Sequence, residues 1–319
     1  MTESPGLPDP QMSPTPPLLL AGPTAVGKSE VALAVAEQLN GEVVSVDSMQ
    51  VYCGMDIGTA KPSAEDRRRV PHHLLDVAKV SEPFDAARFV RLAGAAIAGI
   101  EARGHIPILC GGTGLYFKAL LEGLGEAPPA SPELRAELEA ALLEDLLHEL
   151  SEKDPVAYER IDRKNSRRVI RAVEVIRLTG KAFSEQRAAW NVEHRERGPE
   201  RWFGLTRPAP ELRRRIDRRV EEMFHRGLVA ETERLLSQGL SRNGTAMQAL
   251  GYRQVVEHLR GERSLAETIE LVKIRTRQFA KRQMTWFRNQ LALEWLELAE
   301  TQTPAAIAQK VLERLGTAE

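Results

Sequence analysis

Short apolar runs alternate with longer helical patterns along the first third of the chain. Runs typical of buried strands occupy residues 18–21, 42–46 and 106–110. Between them, apolar positions recur with the helical period over residues 28–39 and 84–103. Strands and helices that alternate in this way predict an α/β fold, with a parallel sheet and helices on both of its faces. Ligands of such sheets bind beyond the carboxyl ends of the strands, so the residues that follow each strand are the first candidates for a site.

The pattern becomes helical after residue 127. Ser131 is a good N-cap and Pro132 suits a first helical position, and the helical pattern that they begin continues through Leu150. A second helix is predicted near residues 165–178, and we see no strand-like run beside either helix. We therefore expect an all-helical insertion domain over residues 128–200.

The core is expected to consist of residues 17–127 and 201–319, on either side of this insertion. The chain re-enters the core at the strand-like residues 202–205, and residues 210–316 look mostly helical. Residues 1–16 are expected to be a disordered leader, because they contain little apolar content and many prolines, namely Pro5, Pro8, Pro10, Pro14 and Pro16.

The composition excludes several classes of protein but does not indicate a function. The 319 residues are 42% apolar and 28% charged, which is typical of a globular protein with a large core. The two cysteines, Cys53 and Cys110, argue against a disulfide framework and a cysteine-based zinc site. No apolar run is as long as a membrane span, and residues 1–17 lack a signal-peptide core, so we expect a cytoplasmic protein that does not bind a membrane.

The turn after the first strand carries the strongest chemical signal. It has the pattern G-x-x-x-x-G-K-[ST] of a phosphate loop, in the residues Gly22, Pro23, Thr24, Ala25, Val26, Gly27, Lys28 and Ser29. A strand precedes it and a helix follows, which is the context that a P-loop NTPase-like core requires. Backbone amides of such a loop surround a phosphate, the lysine reaches the distal phosphate, and the hydroxyl suits Mg²⁺. The loop therefore predicts that a diphosphate or a nucleotide is bound here.

Two further segments are expected at the same edge of the sheet. Asp47 ends the second strand, where its carboxylate could hold Mg²⁺ through water, accept a proton from a nucleophile, or simply cap a turn. The third strand runs into a glycine-rich turn at residues 111–114, which is either a packing turn or a close approach for a ligand, with the Thr113 hydroxyl beside it.

The pair His72 and His73, with Asp76 nearby, invites a metal interpretation. Adjacent histidines do not easily bind one tetrahedral ion from a regular element. We therefore favour a loop in which these side chains pack and form hydrogen bonds.

Basic residues are segregated although the net charge is only −1. They crowd residues 160–177, residues 213–219 and residues 273–288, and the last stretch contains no acidic residue. On a helix, that stretch separates into an apolar half with Val272, Phe279, Ala280, Met284, Trp286 and Phe287 and a polar half with Arg275, Arg277, Gln278, Lys281, Arg282 and Arg288. A solvated face is the ordinary explanation, but solvated faces mix both signs of charge. The segregation favours a bound polyanion such as a nucleic acid.

Several motifs, in this order, resemble those of the tRNA dimethylallyltransferase (tRNA isopentenyltransferase) family, bacterial type. The resemblance rests on the phosphate loop and on residues 47–62, 71–76, 111–116, 247–253 and 281–288. It implies transfer of a dimethylallyl group from dimethylallyl diphosphate to N6 of the adenosine 3′ of the anticodon in tRNA, with release of diphosphate and use of Mg²⁺. It also implies that the tRNA anticodon arm is the macromolecular partner, gripped in part by the insertion. We see no sign of an obligate protein partner.

The resemblance also implies roles for single residues. The phosphate loop would hold the diphosphate with help from Thr24 and Lys28, Ser29 would contact Mg²⁺, and Asp47 would act as the general base. The implied tRNA contacts are Asp47, Ser48, Met49, Gln50, Thr113, Arg135, Arg167, Arg168, Val169, Ile170, Arg171, Gln248, Ala249, Leu250, Gly251, Tyr252, Arg253, Lys281, Arg282, Gln283, Met284, Thr285, Trp286, Phe287 and Arg288.

Departures from the family pattern are small. Val26 and Ser29 stand where Ser and Thr are common, and Cys53 stands where Arg is common. Residues 133–154 are acidic, so this face is expected to point away from RNA. Two other functions remain open on the residues alone: a P-loop kinase or nucleoside triphosphatase acting on a small molecule, and an RNA-binding protein that uses the loop as a switch.

Overall fold

A computed structural model describes residues 16–125, 128–186 and 201–316 of the chain. The chain divides into two compact units, one formed by Met1–Phe117 with Arg195–Glu319 and the other by Lys118–His194. The leader that we expect at residues 1–16 lies outside the described residues except for Pro16, and so does the end of the expected insertion, residues 187–200.

The described residues form six strands and fourteen α-helices. The strands are β1 (Leu18–Ala21), β2 (Gly41–Val46), β3 (His72–His73), β4 (Ile106–Gly111), β5 (Trp202–Thr206) and β6 (Glu294–Glu297). The helices are α1 (Lys28–Leu39), α2 (Ala64–Arg69), α3 (Ala86–Ala102), α4 (Gly114–Glu122), α5 (Pro132–Ala140), α6 (Leu143–Lys153), α7 (Pro155–Arg160), α8 (Ser166–Thr179), α9 (Phe183–Gln186), α10 (Ala209–His225), α11 (Leu228–Ser237), α12 (Tyr252–Leu259), α13 (Leu265–Gln290) and α14 (Pro304–Gly316).

All six strands join one parallel sheet in the order β3-β2-β4-β1-β5-β6. The central strand β1 pairs with β4 on one side and with β5 on the other, and its last residue, Ala21, is in register with Gly111 and Gly204. The phosphate loop and the glycine-rich turn therefore leave the same edge of the sheet from neighbouring strands. The predicted fold, a parallel sheet flanked by helices, is confirmed.

Helices α1 and α14 cover one face of the sheet. Leu18 and Leu20 of β1 are completely buried there, together with Val35 of α1 and Val311 of α14. The period of two along a strand sends Leu19, which is also completely buried, to the opposite face. Burial of both faces explains why the β1 sequence is continuously apolar and does not alternate.

The single helix predicted to run through Leu150 is wrong. Helix α5 ends at Ala140, Ala141 and Leu142 are extended, and α6 begins at Leu143. In one straight helix, Leu138 and Leu150 would face directions about 120° apart. The break lets both side chains enter the same core, which they share with Val169 of α8.

Strand β6 is not expected from the sequence, because residues 210–316 look mostly helical. Its residues are only partly buried or exposed, as is common for an edge strand, so they give no clear apolar run. It pairs in parallel with β5, and Trp295 packs against Gly204 so closely that a side chain at Gly204 would overlap the indole ring.

Within the second unit, a carboxylate organises the start of α5 and the middle of α8. Glu174 is completely buried and accepts hydrogen bonds from Arg135 Nη2 at 2.6 Å and from Arg171 Nη1 at 2.7 Å. It also accepts one from the Ser131 backbone N–H at 3.2 Å. These three hydrogen bonds connect the start of α5 to α8 within the second unit.

None of the helices in the described ranges combines the length and the apolar character that a membrane span requires.

Candidate active site

The phosphate loop joins β1 to α1 through a backbone with several unusual conformations. Gly27 has φ +110° immediately before α1, and Ala25 has φ +62° although it carries a side chain. Helix α1 begins at Lys28, and the first amides of a helix have no intrahelical partner. Their N–H groups, at the positive end of the helix dipole, are available to an anion.

Three side chains from distant parts of the core hold the loop in this shape. Arg207 donates from Nε to the Val26 carbonyl at 2.7 Å, and Arg215 donates from Nε to the Ala25 carbonyl at 2.9 Å. The amide N–H of Thr24 donates to Gln283 Oε1 at 2.9 Å. The loop is therefore a preformed anion cradle, and the carbonyls that point away from the anion are already paired with cationic side chains.

Lys28 is held inside the loop, where its Nζ donates to the Pro23 carbonyl at 2.7 Å. The pKa of Lys28 is lowered from 10.5 to about 8, mainly by burial; the charge of Arg219 contributes to this lowering, and the charge of Asp47 opposes it. A desolvated ammonium gains most from an anionic partner, so this lysine is prepared to bind a phosphate.

A cavity of about 370 Å³ opens beside the loop. One wall is the start of α1, with Lys28 and Ser29, and the other wall is α10, with Arg215, Arg218 and Arg219. Burial lowers the pKa of the Arg219 guanidinium, and the charge of Asp47 opposes this shift. Glu30 and Glu222 also line the cavity, but its four cationic side chains outnumber them. Together with the free helix amides, these cations provide the chemistry of a diphosphate site.

The charge pattern alone predicts a nucleic-acid surface for these arginines, and it does not predict their position at the phosphate loop. Arg215 and Arg219 are four residues apart, so they share one face of α10, beside the buried Ile216 and Val220. Their position directly before the apolar residues Ile216 and Val220 is the signal in the sequence that separates them from Arg214, which is exposed and pairs with Glu300.

Asp47 directly follows β2 at the same edge of the sheet. Its Oδ1 accepts hydrogen bonds from the backbone N–H groups of Met49 at 2.8 Å and Gln50 at 3.2 Å. Among the described residues, no donor contacts Oδ2. The carboxylate therefore caps a turn with one oxygen and keeps the other available, while its charge acts on both Lys28 and Arg219 across the site.

The glycine-rich turn after β4 contacts the segment that follows Asp47. Thr113 Oγ1 accepts from the Ser48 backbone N–H at 3.0 Å, and the Thr113 N–H donates to the Val46 carbonyl at 3.2 Å. Glycine is required at position 114, because a Cβ there would overlap the Trp286 ring of α13. The turn thus holds together β2, β4 and α13, as the packing alternative predicts.

Gln50 connects the Asp47 turn with residues 56–60. Its Oε1 accepts from Ser45 Oγ at 2.8 Å, and its Nε2 donates to the Thr59 carbonyl at 3.1 Å. Glu231 of α11 is buried and binds the same loop, accepting from the backbone N–H of Ile57 at 3.0 Å and from the Tyr252 hydroxyl at 2.6 Å. The segment that carries the catalytic candidate is therefore fixed by a buried hydrogen-bond network.

The family model described as IPP transferase matches residues 50–290. The chain belongs to the IPP transferase family. It is 47% identical to tRNA dimethylallyltransferase 1 of Trichlorobacter lovleyi over 287 residues. The aligned region covers 89% of this chain and 94% of that protein. The full-length tRNA isopentenylpyrophosphate transferase of Bacillus halodurans is similar in structure, with a TM-score of 0.66 and 39% identity over 94% of this chain and 96% of the other.

A eukaryotic dimethylallyltransferase, solved in crystallographic snapshots of its action on tRNA, has a TM-score of 0.73 at 28% identity, covering 93% of this chain and 77% of that one. These comparisons confirm the resemblance found in the sequence, and the relatives named above are transferases. The chain is thus an enzyme of the IPP transferase family. A small-molecule kinase or nucleoside triphosphatase is not favoured.

Within this IPP transferase, α13 separates its side chains sharply. Lys281, Arg282, Thr285 and Arg288 are exposed, Met284 and Trp286 are partly buried, and Gln283 and Phe287 are buried. An open groove of about 510 Å³ runs along the exposed face. Phe279, placed on the apolar half from the sequence, is 36% exposed, and the Arg282 guanidinium lies over its ring at 5.9 Å. The apolar half predicted from the sequence is therefore wider than the buried stripe, which passes through Ala280, about 100° away from Phe279 around the helix.

The segment of residues 248–253 is mostly structural in the described fold. Ala249, Gly251 and Tyr252 are buried, Leu250 is partly buried, and Gln248 and Arg253 are exposed. Gln248 and Arg253 are therefore the residues of this segment whose side chains are accessible to a partner. The assignment of the segment to tRNA remains a prediction.

The predicted tRNA contacts of the second unit divide in the same way. Val169 and Ile170 belong to its core, while Arg135 and Arg171 are paired with Glu174. Arg167 and Arg168 are exposed near the start of α8. Their roles toward tRNA remain predictions.

The two adjacent histidines form the short strand β3, which pairs with β2, and not the expected loop; both side chains make hydrogen bonds. His72 Nδ1 lies 2.8 Å from the Val70 carbonyl, and His73 Nε2 lies 2.6 Å from Glu42 Oε2. Asp76 is occupied by ion pairs with Lys61 and Arg67. These partners support the packing interpretation, and in the ranges that the structure describes no group of three or more His, Cys, Asp or Glu side chains is arranged so that it could hold a metal ion.

Proposed function

We propose that this enzyme transfers a dimethylallyl group from dimethylallyl diphosphate to N6 of the adenosine 3′ of the anticodon in tRNA, and releases diphosphate. One observation supports the proposal above all others. A cationic phosphate cradle and the carboxylate of Asp47, which has one oxygen without a hydrogen-bond donor among the described residues, lie at the same edge of the sheet. The similarity to enzymes named tRNA dimethylallyltransferase supports the same reaction. We propose the cytoplasm as the site of this reaction, which fits a tRNA substrate.

The cradle acts on the leaving group. As the allylic C–O bond breaks, its electron pair stays with the diphosphate, so negative charge grows on the oxygens that face Lys28 and Arg219. Preorganised donors aimed at developing charge lower a barrier more than donors that must reorient. The Thr24 backbone amide is already engaged by Gln283, so Thr24 can serve the diphosphate through its hydroxyl.

Asp47 acts on the nucleophile. N6 forms a bond to the allylic carbon and must lose one proton, which Asp47 accepts. The exocyclic amine of adenine is a weak nucleophile, so a positioned base raises the rate. Oδ2 is the oxygen suited to this task, because Oδ1 accepts the two amide N–H groups of the turn.

Mg²⁺ fits the residues at the cradle. Ser29 lines the cavity in the first turn of α1, and no partner of its hydroxyl occurs among the described residues. Mg²⁺ takes few ligands from a protein and completes its shell with phosphate oxygens and water, and the Ser/Thr hydroxyl of a phosphate loop is one of its usual protein ligands. When bound, the ion would neutralise charge on the diphosphate, with Ser29 as its protein ligand.

The tRNA is held by the exposed basic face of α13, including Lys281, Arg282 and Arg288, and by Arg167 and Arg168 of the second unit. Phosphate contacts of this kind position an RNA without reading its sequence. The target adenosine must leave its stack, because its N6 cannot otherwise lie between Asp47 and the diphosphate.

Transfer can be tested directly with Mg²⁺, labelled dimethylallyl diphosphate and an anticodon stem-loop. We expect label in the RNA, and none when the target adenosine is replaced by purine riboside, which lacks the exocyclic amine. Release of diphosphate without labelled RNA, or equal labelling of the purine control, would contradict the proposal.

A further inference from the structure

One side chain of the basic helix α13 turns away from solvent and enters the site. Gln283 is 8% exposed, whereas its neighbours Lys281 and Arg282 are exposed. Its Oε1 accepts from the Thr24 backbone N–H at 2.9 Å, and its Nε2 donates to the Gly112 carbonyl at 2.8 Å. Both ends of the amide are thus satisfied by backbone groups of the two turns that form the site.

The chemistry of the two partners selects glutamine. Thr24 offers a donor and Gly112 an acceptor, so the bridging side chain must carry one acceptor and one donor at fixed separation. A carboxylate would place a negative oxygen against the Gly112 carbonyl, and an apolar side chain would leave two buried polar groups without partners.

The bridge joins the two halves of the proposed reaction. Thr24 belongs to the phosphate cradle, whose loop directly follows β1 in the chain. Gly112 belongs to the turn after β4, whose next residue, Thr113, binds the backbone N–H of Ser48 beside Asp47. The side chain of Gln283 therefore sets the separation between the cradle of the leaving group and the support of the base.

The packing at this turn is close. A Cβ at Gly112 would overlap Gln283 Nε2, and a Cβ at Gly114 would overlap the Trp286 ring. Helix α13 consequently cannot move toward or along the sheet edge without moving the turn. The same helix presents its exposed basic face to solvent.

We propose that Gln283 is a positioning residue for prenyl transfer, which fixes the cradle relative to Asp47 from the helix that seats the tRNA. This inference rests on the proposed function. Gln283 acts on the backbone of the two turns, so its effect on the rate must come through Thr24 and Gly112.

The main test compares Gln283→Met with Gln186→Met. Gln186 of α9 is also 8% exposed, and its Nε2 donates to Thr179 Oγ1 at 2.6 Å, so both variants lose hydrogen bonds of a buried glutamine. We expect Gln283→Met to lower kcat about 10²-fold, as misplacement of reacting groups by about 1 Å does. Affinity for the stem-loop should change less than about twofold, and Gln186→Met should keep the kcat of the parent per folded molecule.

A second variant, Gln283→Glu, provides a pH signature that a structural role would not give. When protonated, the introduced carboxyl group can donate to the Gly112 carbonyl and accept from Thr24, whereas the ionised carboxylate can only accept. We expect the kcat of this variant relative to the parent enzyme to rise as the pH is lowered, with the folded fraction measured at each pH by circular dichroism. A flat ratio would overturn the inference, as would a parent-like kcat in Gln283→Met.

Hydrogen exchange at the Thr24 amide separates this inference from the proposed function, because it requires no reaction. Exchange should be slow in the parent and faster in Gln283→Met. If the parent protein transfers no label to RNA, the proposed function fails, whatever the exchange shows. If the parent is active and the Thr24 amide exchanges equally fast in both proteins, only the positioning role of Gln283 fails.

Discussion

Asp47 uses its two carboxylate oxygens differently. Oδ1 accepts the amide N–H groups of Met49 and Gln50 and so shapes the turn after β2. Oδ2 has no donor in the described part of the chain, which leaves it for the proton of N6. Capping and catalysis are alternatives when only the sequence is considered, but the geometry allows both at once.

Asp47→Asn separates these two tasks. The amide oxygen of the variant can still cap the turn, but the side chain can no longer accept a proton at neutral pH. We expect kcat to fall about 10²- to 10⁴-fold, the usual contribution of a general base, with little change in affinity for the stem-loop or in thermal stability. Single-turnover transfer assays, a binding titration and thermal unfolding check these three expectations. Turnover near that of the parent would show that Asp47 is not the base.

Lys28 provides a pH-dependent prediction at the same scale. Burial lowers its pKa to about 8, so its ammonium is charged below this pH and loses its proton as the pH rises through about 8. The charged form binds the diphosphate, and at pH 9 about a tenth of it remains. The KM for the prenyl donor should therefore rise by up to about tenfold between pH 7 and pH 9.

The control for this titration is Lys28→Met. Its KM for the donor should be high at all pH values, without the rise that the parent shows. If the parent and this variant share the same pH dependence of KM, the titrating group is not Lys28.

At the scale of elements, α13 has two separate tasks on two faces. Its buried stripe, with Gln283 and Phe287, packs against the core at the edge where the site lies. Its exposed face carries Lys281, Arg282 and Arg288 with no acidic residue between them. The exposed face of α13 can therefore bind RNA while its buried face holds the turns of the active site in place.

The double variant Lys281→Ala with Arg282→Ala tests the RNA-binding face. If both side chains contact phosphates, the plot of log affinity against log salt should become shallower by about 1.4 to 1.8, and binding at low salt should weaken. Arg277→Ala on the same helix should change this slope less, because Arg277 already donates to Asp217 at 2.7 Å. An unchanged slope in the double variant would mean that this face does not contact RNA phosphates.

At the scale of the whole core, the opposite end of the sheet carries a separate charged cluster. Glu42 near the start of β2 is 2% exposed and accepts two hydrogen bonds from Arg103, at 3.0 and 2.8 Å. His73 and His105 contact the same carboxylate at 2.6 and 2.7 Å. The cluster joins β2, β3, α3 and the start of β4, far along the strands from Asp47.

This cluster makes acid stability depend on one carboxylate. The hydrogen bond from Arg103, and then those from His73 and His105, lower the pKa of Glu42 from 4.5 to about 2. A carboxyl group whose pKa is lower in the folded state stabilises the fold above about pH 4.5, and the stabilisation disappears as the pH falls toward 2. The shift corresponds to about 3 kcal/mol of unfolding free energy at neutral pH.

Urea unfolding of Glu42→Gln between pH 3 and pH 7 measures this contribution. The difference in unfolding free energy between the parent and the variant should shrink as the pH falls. Glu37→Gln, which affects a half-exposed pair with Arg69, should differ from the parent by less than about 1 kcal/mol at every pH. A difference for Glu42→Gln that does not vary with pH would contradict this account.

The local sequence determines some of these features and not others. The bounds of β1 and α1 are predictable, because the phosphate-loop motif fixes where a strand ends and a helix begins. The bridging role of Gln283 is not, since its partners lie 171 and 259 residues away in the chain. Burial of Tyr252 and the position of Arg219 at the phosphate loop likewise depend on how α10, α11 and α12 pack.

The most direct test of the central claim is a crystal structure of the complex with an anticodon stem-loop and a thio analogue of dimethylallyl diphosphate that reacts slowly. We expect the diphosphate on the phosphate loop beside Lys28 and Arg219, and the adenosine extruded so that its N6 lies about 3 Å from Asp47 Oδ2. A complex in which the adenosine enters the site but N6 lies beyond hydrogen-bond reach of Asp47 would contradict the account.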